Sequence, residues 1–332
     1  MRLYAPPFDS YEDASGAAAV GVVIPTFNRR QTLLDTLPYV LNQTQRPARL
    51  VIVDDGSTDD TVAAATGWLR AQRPEFPWRV IAAPHRSAAS ARNVGLDLVA
   101  DLPFVTFLDS DDHWPTDFLE RGVRTLQAHP AALVAVADRR FFDATGRLID
   151  ADDSRSLARD PIPWFFQYGA GLASCTVVRT SSVVAVGGWP THVTSAEDAV
   201  LFAELTLRGP WVHLPGDPVE FHWGTALARH EEQNLSQCHD DRHRQWAMVF
   251  EGIYQRVVTA RPTTPRGELH RALAQRWYWA GKQLFALGQA DEARQCFARA
   301  VARHPMMFRA WRRLLASPRR GGAEAAELRR AA

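Results

Sequence analysis

The sequence predicts a doubly wound, mostly parallel α/β sheet that is followed by an α-helical extension. Short, β-branched apolar runs alternate with helix-like segments between residues 18 and 137. A cluster of polar residues follows each of the first four runs, and beyond residue 241 the sequence becomes helical and rich in arginine. Runs that are apolar throughout are typical of strands covered on both faces, and strand–helix alternation is typical of parallel sheets.

The first half of the chain contains the clearest predicted elements. The predicted strands are residues 20–24, 50–53, 79–82, 104–108 and 133–136, and the predicted helices between them are 30–42, 58–71, 87–99 and 116–128. Ser57 or Thr58, and Thr116, are expected to cap two of these helices because their hydroxyl groups can accept from free backbone N–H groups. A further helix is predicted over residues 198–208.

The composition excludes several classes of protein. Of 332 residues, 46% are apolar and 23% are charged, which is ordinary for a globular protein and unlike collagen or a disordered chain. The formal net charge of +1 gives no field that favours nucleic acid. Three widely spaced cysteines, no apolar run of membrane-spanning length and a polar start over residues 1–15 predict a soluble, cytoplasmic protein.

Polar clusters follow four successive predicted strands. They are residues 25–29, 54–59, 84–87 and 109–113. Ligands bind at the carboxyl edge of such sheets, so these clusters are expected to meet there. Neither a G-x-G-x-x-G fingerprint nor a phosphate-binding G-x-x-x-x-G-K-[ST] loop is present, which removes the main support for hydride transfer and for a P-loop ATPase.

Asp109 and Asp111 form a D-x-D pair at the end of a predicted strand. A side-chain period of two directs both carboxylates to the same side, where they repel each other unless a cation intervenes. Mg²⁺ or Mn²⁺ prefers such oxygen ligands. A solvated acidic loop with helix-capping duties is the alternative for an isolated D-x-D.

Four segments, residues 22–60, 87–97, 107–119 and 187–205, resemble glycosyltransferase family 2 in the order of its motifs. They include VIVDDGSTDD, SAASARNVGLD and FLDSDDHWPTDFL. The resemblance implies a Rossmann-like GT-A fold. It also implies a metal-dependent, inverting transfer of a sugar from a nucleotide diphosphate, with a UDP-sugar expected, to an acceptor hydroxyl.

The resemblance also implies roles for individual residues. Asp198 matches the catalytic base, and Asp111 matches a metal ligand, together with Asp109 and His230; His222 and His213 are rivals of His230 for that position. The residues expected to contact the donor are Pro25, Thr26, Asn28, Arg29, Asp55, Arg92 and Asp109. One departure is that His85-Arg86-Ser87 stands where the family often has N-G-G.

The expected domains are an extension at 1–17, a transferase domain at 18–240 and a helical region at 241–332. The transferase domain is divided into a nucleotide-binding half, 18–137, and an acceptor half, 138–240. Residues 266–305 resemble one tetratricopeptide-type helical pair, and about three such units normally make a stable array. Three interpretations of these helices are therefore kept. They form a packed cap, they form a homodimer contact, or their arginines contact the inner face of the membrane.

Two other functions remain open. A nucleotidyltransferase uses a similar sheet and acidic pair, and would release pyrophosphate without needing Asp198. A non-catalytic protein with a degenerate transferase domain would bind partners through its helices. The sequence does not identify the donor sugar, and leaves glycan, lipid-linked, small-molecule and peptide acceptors open.

Overall fold

The computed structural model describes residues 18–158, 160–169, 171–193, 195–222 and 241–316. The chain divides into two compact units, Met1–Asn234 and Leu235–Ala332. The predicted boundary at residue 240 lies outside the described residues and stays a prediction.

In the described part of the first unit, nine strands form one mixed sheet in the order β3-β2-β1-β4-β8-β6-β9-β5, with β7 paired to β6. The strands are β1 Val20–Thr26, β2 Arg49–Asp54, β3 Trp78–Ala82, β4 Phe104–Phe107, β5 Asp112–His113, β6 Val134–Phe142, β7 Leu148–Asp152, β8 Thr176–Arg179 and β9 Trp211–His222. The pairs among β3, β2, β1 and β4 are parallel, as predicted. Beyond β4 the strand pairs are antiparallel except for β6–β9, so the expectation of a mostly parallel sheet describes only its first half.

Seven helices connect the strands of this unit. They are α1 Arg30–Leu41, α2 Thr61–Gln72, α3 Ala88–Asp97, α4 Phe118–Ala128, α5 Pro161–Tyr168, α6 Thr180–Ala185 and α7 Glu197–Arg208, and a short 3₁₀ turn spans Arg155–Ala158. Each predicted helix of the first half is present, and no end differs by more than three residues. The helix predicted over 198–208 is α7.

The expected helix caps were wrong. Ser57 accepts from the Asn28 amide at 2.7 Å, and its own amide donates to Asp54 at 2.9 Å. Helix α2 consequently begins at Thr61, where the Thr61 amide donates to Asp59 at 3.0 Å. Helix α4 begins after Asp117 rather than at Thr116. Ser57 is thus engaged by the loop after β1, and the Thr116 carbonyl accepts from the Thr44 amide at 2.8 Å.

The core of the first unit is built around β1, in which every residue is buried. Helix α3 lies against this strand at Gly95, where an added Cβ would come within 2.3 Å of Val23 Cγ1. Only glycine allows the helix to approach a β-branched side chain so closely. This approach fixes the direction in which α3 leaves the carboxyl edge of the sheet.

The second unit is helical throughout its described residues. Its helices are α8 Arg242–Ala260, α9 Arg266–Ala286, α10 Ala290–Arg303 and α11 Phe308–Ala316. Trp277, Leu284 and Phe297 fill a core between them, and an added Cβ at Gly281 would lie 2.6 Å from the Phe297 ring. The predicted hairpin therefore matches α9 and α10. None of the helices within the described ranges combines the length and apolar character that crossing a bilayer requires.

Replacing Gly95 with alanine is expected to destabilise the first unit. Overpacking against Val23 costs about 1–3 kcal/mol, which exceeds the gain of up to about 1 kcal/mol from helix propensity. Gly67→Ala is the matched control, because Gly67 is also helical and nothing lies within 4 Å of the added Cβ. Urea unfolding should rank Gly95→Ala below the wild-type protein and Gly67→Ala level with it or above. The reverse order would contradict the close approach of α3 and β1.

Candidate active site

The carboxyl ends of β1 and β2 are joined before either loop departs. Thr26 is in register with Asp54, and the Asp55 amide donates to the Thr26 carbonyl at 2.8 Å. All three side chains are buried. The order β2-β1-β4 means that the chain crosses to opposite sides of β1, and a crevice opens at such a point.

Asn28 ties the loop after β1 to the loop after β2. Its backbone has φ +48°, a left-handed conformation that asparagine tolerates better than most residues. Its side-chain oxygen accepts from the Thr58 backbone amide at 2.7 Å, and its backbone amide donates to the Ser57 hydroxyl. Asn28 thus has a clear structural part in the crevice, and its contact with a donor stays a prediction.

Asp55 lies in a pocket formed by the residues that depart from the family pattern. Its Oδ1 accepts from the Arg86 amide at 2.9 Å, and its Oδ2 lies 3.0 Å from His85 Nδ1. The His85 ring stacks on Phe27 with centroids 4.3 Å apart. Gly56, with φ +83°, lets this histidine approach, because an added Cβ would lie 2.8 Å from the His85 backbone. An aromatic pair therefore lies beside a buried carboxylate.

Arg29 forms an ion pair with Asp111, with Nη1 and Oδ2 2.8 Å apart. Arg29 immediately precedes α1, so this contact joins the start of that helix to the D-x-D segment. Asp111 raises the pKa of Arg29 against the effect of burial. Two of the predicted site residues are therefore in direct contact.

Arg92 is the central cation of the crevice. From α3 it donates to Asp109 at 2.6 Å and to Glu197 at 2.9 Å, and its guanidinium lies 4.4 Å from the centre of the Trp189 ring. Burial would lower the pKa of Arg92, but the two carboxylates raise it overall. One side chain thus brings the D-x-D segment next to the start of α7.

Asp112 is the buried member of the acidic segment. Ser174 donates to its Oδ2 at 2.5 Å, and the same hydroxyl accepts from the Asp109 amide at 3.0 Å. Burial and the charges of Asp111 and Asp109 raise the pKa of Asp112 well above its ordinary value. Three carboxylates therefore crowd into one turn with excess negative charge.

Asp198 is the second residue of α7, and backbone amides hold both of its oxygens. Oδ2 accepts from Gly171 and, at 3.1 Å, from Leu172, while Oδ1 accepts from Ala199 at 2.7 Å. Burial and the neighbouring charge of Glu197 raise the pKa of Asp198 to about 6, although the amide contacts act in the opposite direction. A carboxyl group with this pKa changes its protonation state close to neutral pH.

Arg139 supports the segment that holds Asp198. Its buried guanidinium donates to the Gly171 carbonyl at 2.9 Å and to the Tyr168 carbonyl at 2.7 Å, and it is paired with Asp152. The amide of the same Gly171 donates to Asp198. Arg139 thus fixes the loop whose N–H groups orient the carboxylate.

The histidines do not gather at the D-x-D pair in the part of the chain that the structure describes. His230 lies outside the described residues. His213 Nε2 is 3.3 Å from Asp138. His222 lies beside His113 and Glu220, the single place among the described residues where three potential metal-ligand atoms come within 4.8 Å of one another.

Sequence reasoning missed several residues that hold the site together, namely Glu197, Ser174 and the cation–π contact of Trp189. An acidic residue next to a predicted base was a usable signal for Glu197. Ser174 has no local signal, because it meets Asp112 through the antiparallel half of the sheet.

The fold is similar to that of solved glycosyltransferases. Staphylococcus aureus TarS 1–349, in complex with UDP-GlcNAc, matches with a TM-score of 0.61 and 17% identity, covering 86% of this chain and 81% of that one. The mannosyltransferase PcManGT from Pyrobaculum calidifontis, in complex with GDP-Man and Mn²⁺, matches with a TM-score of 0.57 and 19% identity, covering 94% and 86%. With the acidic crevice at the carboxyl edge, this is a GT-A fold.

The sequence comparison identifies the family. Residues 21–179 match the family model described as glycosyl transferase family 2. The succinoglycan biosynthesis protein ExoW of Rhizobium meliloti is 36% identical over an alignment of 217 residues that covers 59% of this chain and 66% of that protein. The chain therefore carries a glycosyl transferase family 2 domain. It spans only 27–30% of the length of three similar uncharacterized glycosyltransferases from Rickettsia species.

Replacing Asp112 with asparagine is expected to stabilise the protein at pH 7 when metal is chelated. A raised pKa in the folded state means that the ionised carboxylate opposes folding, and this cost grows as pH rises from the unfolded pKa near 4 through the folded one. The gain should therefore shrink towards pH 4. Urea unfolding in EDTA at several pH values measures it.

Asp150→Asn is the control, because this aspartate is exposed and its side chain accepts a hydrogen bond from the amide of the next residue, Ala151. An Asp112→Asn variant that is less stable than the wild-type protein at pH 7 would contradict the proposed crowding of charge.

Proposed function

We propose that this protein is a metal-dependent, inverting glycosyltransferase that moves a sugar from a nucleotide-diphosphate donor, a UDP-sugar, to an acceptor hydroxyl. The observation that carries the proposal is the bridge made by Arg92. This one guanidinium contacts Asp109, a member of the D-x-D pair, and Glu197, the residue next to the predicted base Asp198. The groups predicted to manage the leaving group and the proton are therefore close to each other. The TarS and PcManGT structures, which contain UDP-GlcNAc and GDP-Man, support a nucleotide-sugar donor.

The acidic turn fits a hard divalent cation. Asp109 and Asp111 supply carboxylate oxygens. Burial, together with the charges of Asp111 and Asp109, raises the pKa of Asp112, and a cation would offset those charges. Arg92 contacts Asp109 through Oδ1, and Arg29 contacts Asp111 through Oδ2. Mn²⁺ or Mg²⁺ held there would supply Lewis-acid stabilisation of the departing diphosphate. The Mn²⁺ in the PcManGT structure supports this choice.

The donor base and ribose fit the ends of β1 and β2. The Thr26 hydroxyl is buried and has no hydrogen-bond partner within the described residues. A buried polar atom without a partner carries a cost that a bound ligand removes. Asp55 offers a carboxylate at the same edge, next to the stacked Phe27 and His85 rings.

Asp198 is proposed as the general base. Its pKa of about 6 leaves it mostly ionised at neutral pH yet basic enough to take a proton from an attacking hydroxyl. The amides of Leu172 and Ala199 fix the direction of its carboxylate. A single base opposite a single leaving group gives one displacement, and therefore inversion at the anomeric carbon.

Asp198→Asn is expected to retain donor binding while turnover falls at least about a hundredfold, the low end for loss of a general base. In the wild-type protein, kcat/KM should rise with pH through about 6, because the carboxyl must lose its proton before it can accept another. Steady-state kinetics with a nucleotide-sugar panel and Mn²⁺ measure both effects.

Asp97→Asn, at an exposed position at the end of α3, is the matched control and should leave the rate unchanged. If Asp198→Asn turned over at the wild-type rate, the base would have to be another group. Release of pyrophosphate instead of nucleotide diphosphate would indicate a nucleotidyltransferase.

Asp111→Ala is expected to abolish the metal-dependent part of UDP binding. Removing this carboxylate takes away one of two aspartates that share the cation, whereas Asp55 and Thr26 are untouched. Calorimetric titration of UDP with and without Mn²⁺ separates the two contributions. Equal affinity for UDP with and without Mn²⁺ in the wild-type protein would overturn the metal site.

A further inference from the structure

A second group of potential ligands lies on the edge strand β5 and on its neighbour β9. His113 in β5 is directly opposite Glu220 in β9, because the two strands pair antiparallel with Asp112 opposite Phe221. His222 follows Glu220 by two residues and so lies on the same face. One ligand atom from each of these three residues lies within 4.8 Å of the other two.

The strand alternation separates this group from Asp112 and Phe221. Asp112 and Phe221 face the other way, towards Ser174 and Phe141 respectively. His113 instead stacks on Tyr39 of α1, with ring centroids 4.1 Å apart. The group of ligand atoms within 4.8 Å of one another includes neither Asp109 nor Asp111, although His113 follows Asp111 by only two residues.

The ligand atoms are held in place by packing. The His222 ring lies between His113, at 4.3 Å, and Phe142, at 5.2 Å. Its Nε2 is buried and makes no hydrogen bond within the described residues, and the closest carboxylate oxygen, Glu220 Oε2, is 3.5 Å away. That distance is too long for a good hydrogen bond. A buried imidazole nitrogen without a partner is an exception that calls for a ligand.

We propose that His113, Glu220 and His222 bind a Zn²⁺ ion that is distinct from the cation of the Asp109–Asp111 pair. Two imidazoles and one carboxylate form a set of donors that zinc accepts, and water or another small ligand completes the coordination. Asp109 and Asp111 supply only carboxylate oxygens, which suits a harder ion. The two sites therefore differ in chemistry as well as in position.

The ion would fasten a short edge strand. Strand β5 has only two residues, and it follows directly from the Asp109–Asp111 segment. A bond from His113 through zinc to Glu220 and His222 would attach this strand to β9 by more than its few backbone hydrogen bonds. Zinc would thus raise the thermal stability of the full chain, because it binds the folded state only.

The test uses the full-length, metal-stripped protein with Asp111→Asn as background, so that the acidic pair is disabled. Calorimetric titration with Zn²⁺ should give one equivalent bound. Adding His222→Gln or Glu220→Gln should weaken that binding at least about a hundredfold, since even second-shell changes at metal sites cost 10–100-fold. His129→Gln, at an exposed histidine of the α4 end, should not change it.

Replacement of Zn²⁺ by Co²⁺ gives a second readout. In the Asp111→Asn protein, the visible absorption spectrum of bound Co²⁺ should indicate a low coordination number with histidine ligands. This spectrum should be lost with Glu220→Gln. That substitution is at a partly exposed side chain and serves even if His222→Gln fails to fold. Absence of zinc binding in the Asp111→Asn background, or equal binding in the Glu220→Gln and His129→Gln proteins, would overturn the proposal, whatever the transferase assay shows.

Discussion

The arrangement of the crevice depends on the position of one buried cation, Arg92. Its guanidinium contacts Asp109, which follows β4, and Glu197, which begins α7, and the Trp189 ring packs on its face. Removing one partner of such a buried ion pair leaves an uncompensated charge and is strongly destabilising. The two halves of the first unit are therefore held at the crevice by charge neutralisation as well as by apolar packing.

Similar support recurs behind the other acidic groups. Arg29 secures Asp111, and Arg139 secures the loop whose amides hold Asp198. In each case the carboxylate predicted to act is fixed by a cation or by amides of a loop that a cation holds. Such support limits the motion of groups whose geometry decides their efficiency.

The sequence predicted β1 to β4, the helices between them and the gathering of Thr26, Asp55, Asp109 and Asp111 at one edge. These features follow from local apolar runs and from the rule that parallel strands present their carboxyl ends together. In the other half only β6 was predicted, as the strand at residues 133–136. Strand β7 is exposed and β9 contains Pro215 and Pro218, so neither has a regular pattern.

Contacts between distant segments were equally hidden from the sequence. Ser57 satisfied every rule for a helix cap, yet it bonds with Asp54 and Asn28 because the loops after β1 and β2 meet there. The part played by Ser174 depends on a pairing between strands far apart in the chain. Residue type defined which groups could react, while the tertiary fold decided which partner each one found.

The near absence of lysine also affects how the charge of the molecule depends on pH. Lys282 is its one lysine, and the cations that line the crevice, Arg29, Arg92 and Arg139, are guanidinium groups. A guanidinium keeps its proton at every pH at which a protein stays folded. The positive charges of these arginines therefore do not change with pH. Only acidic and imidazole groups in this region take up protons when the pH falls.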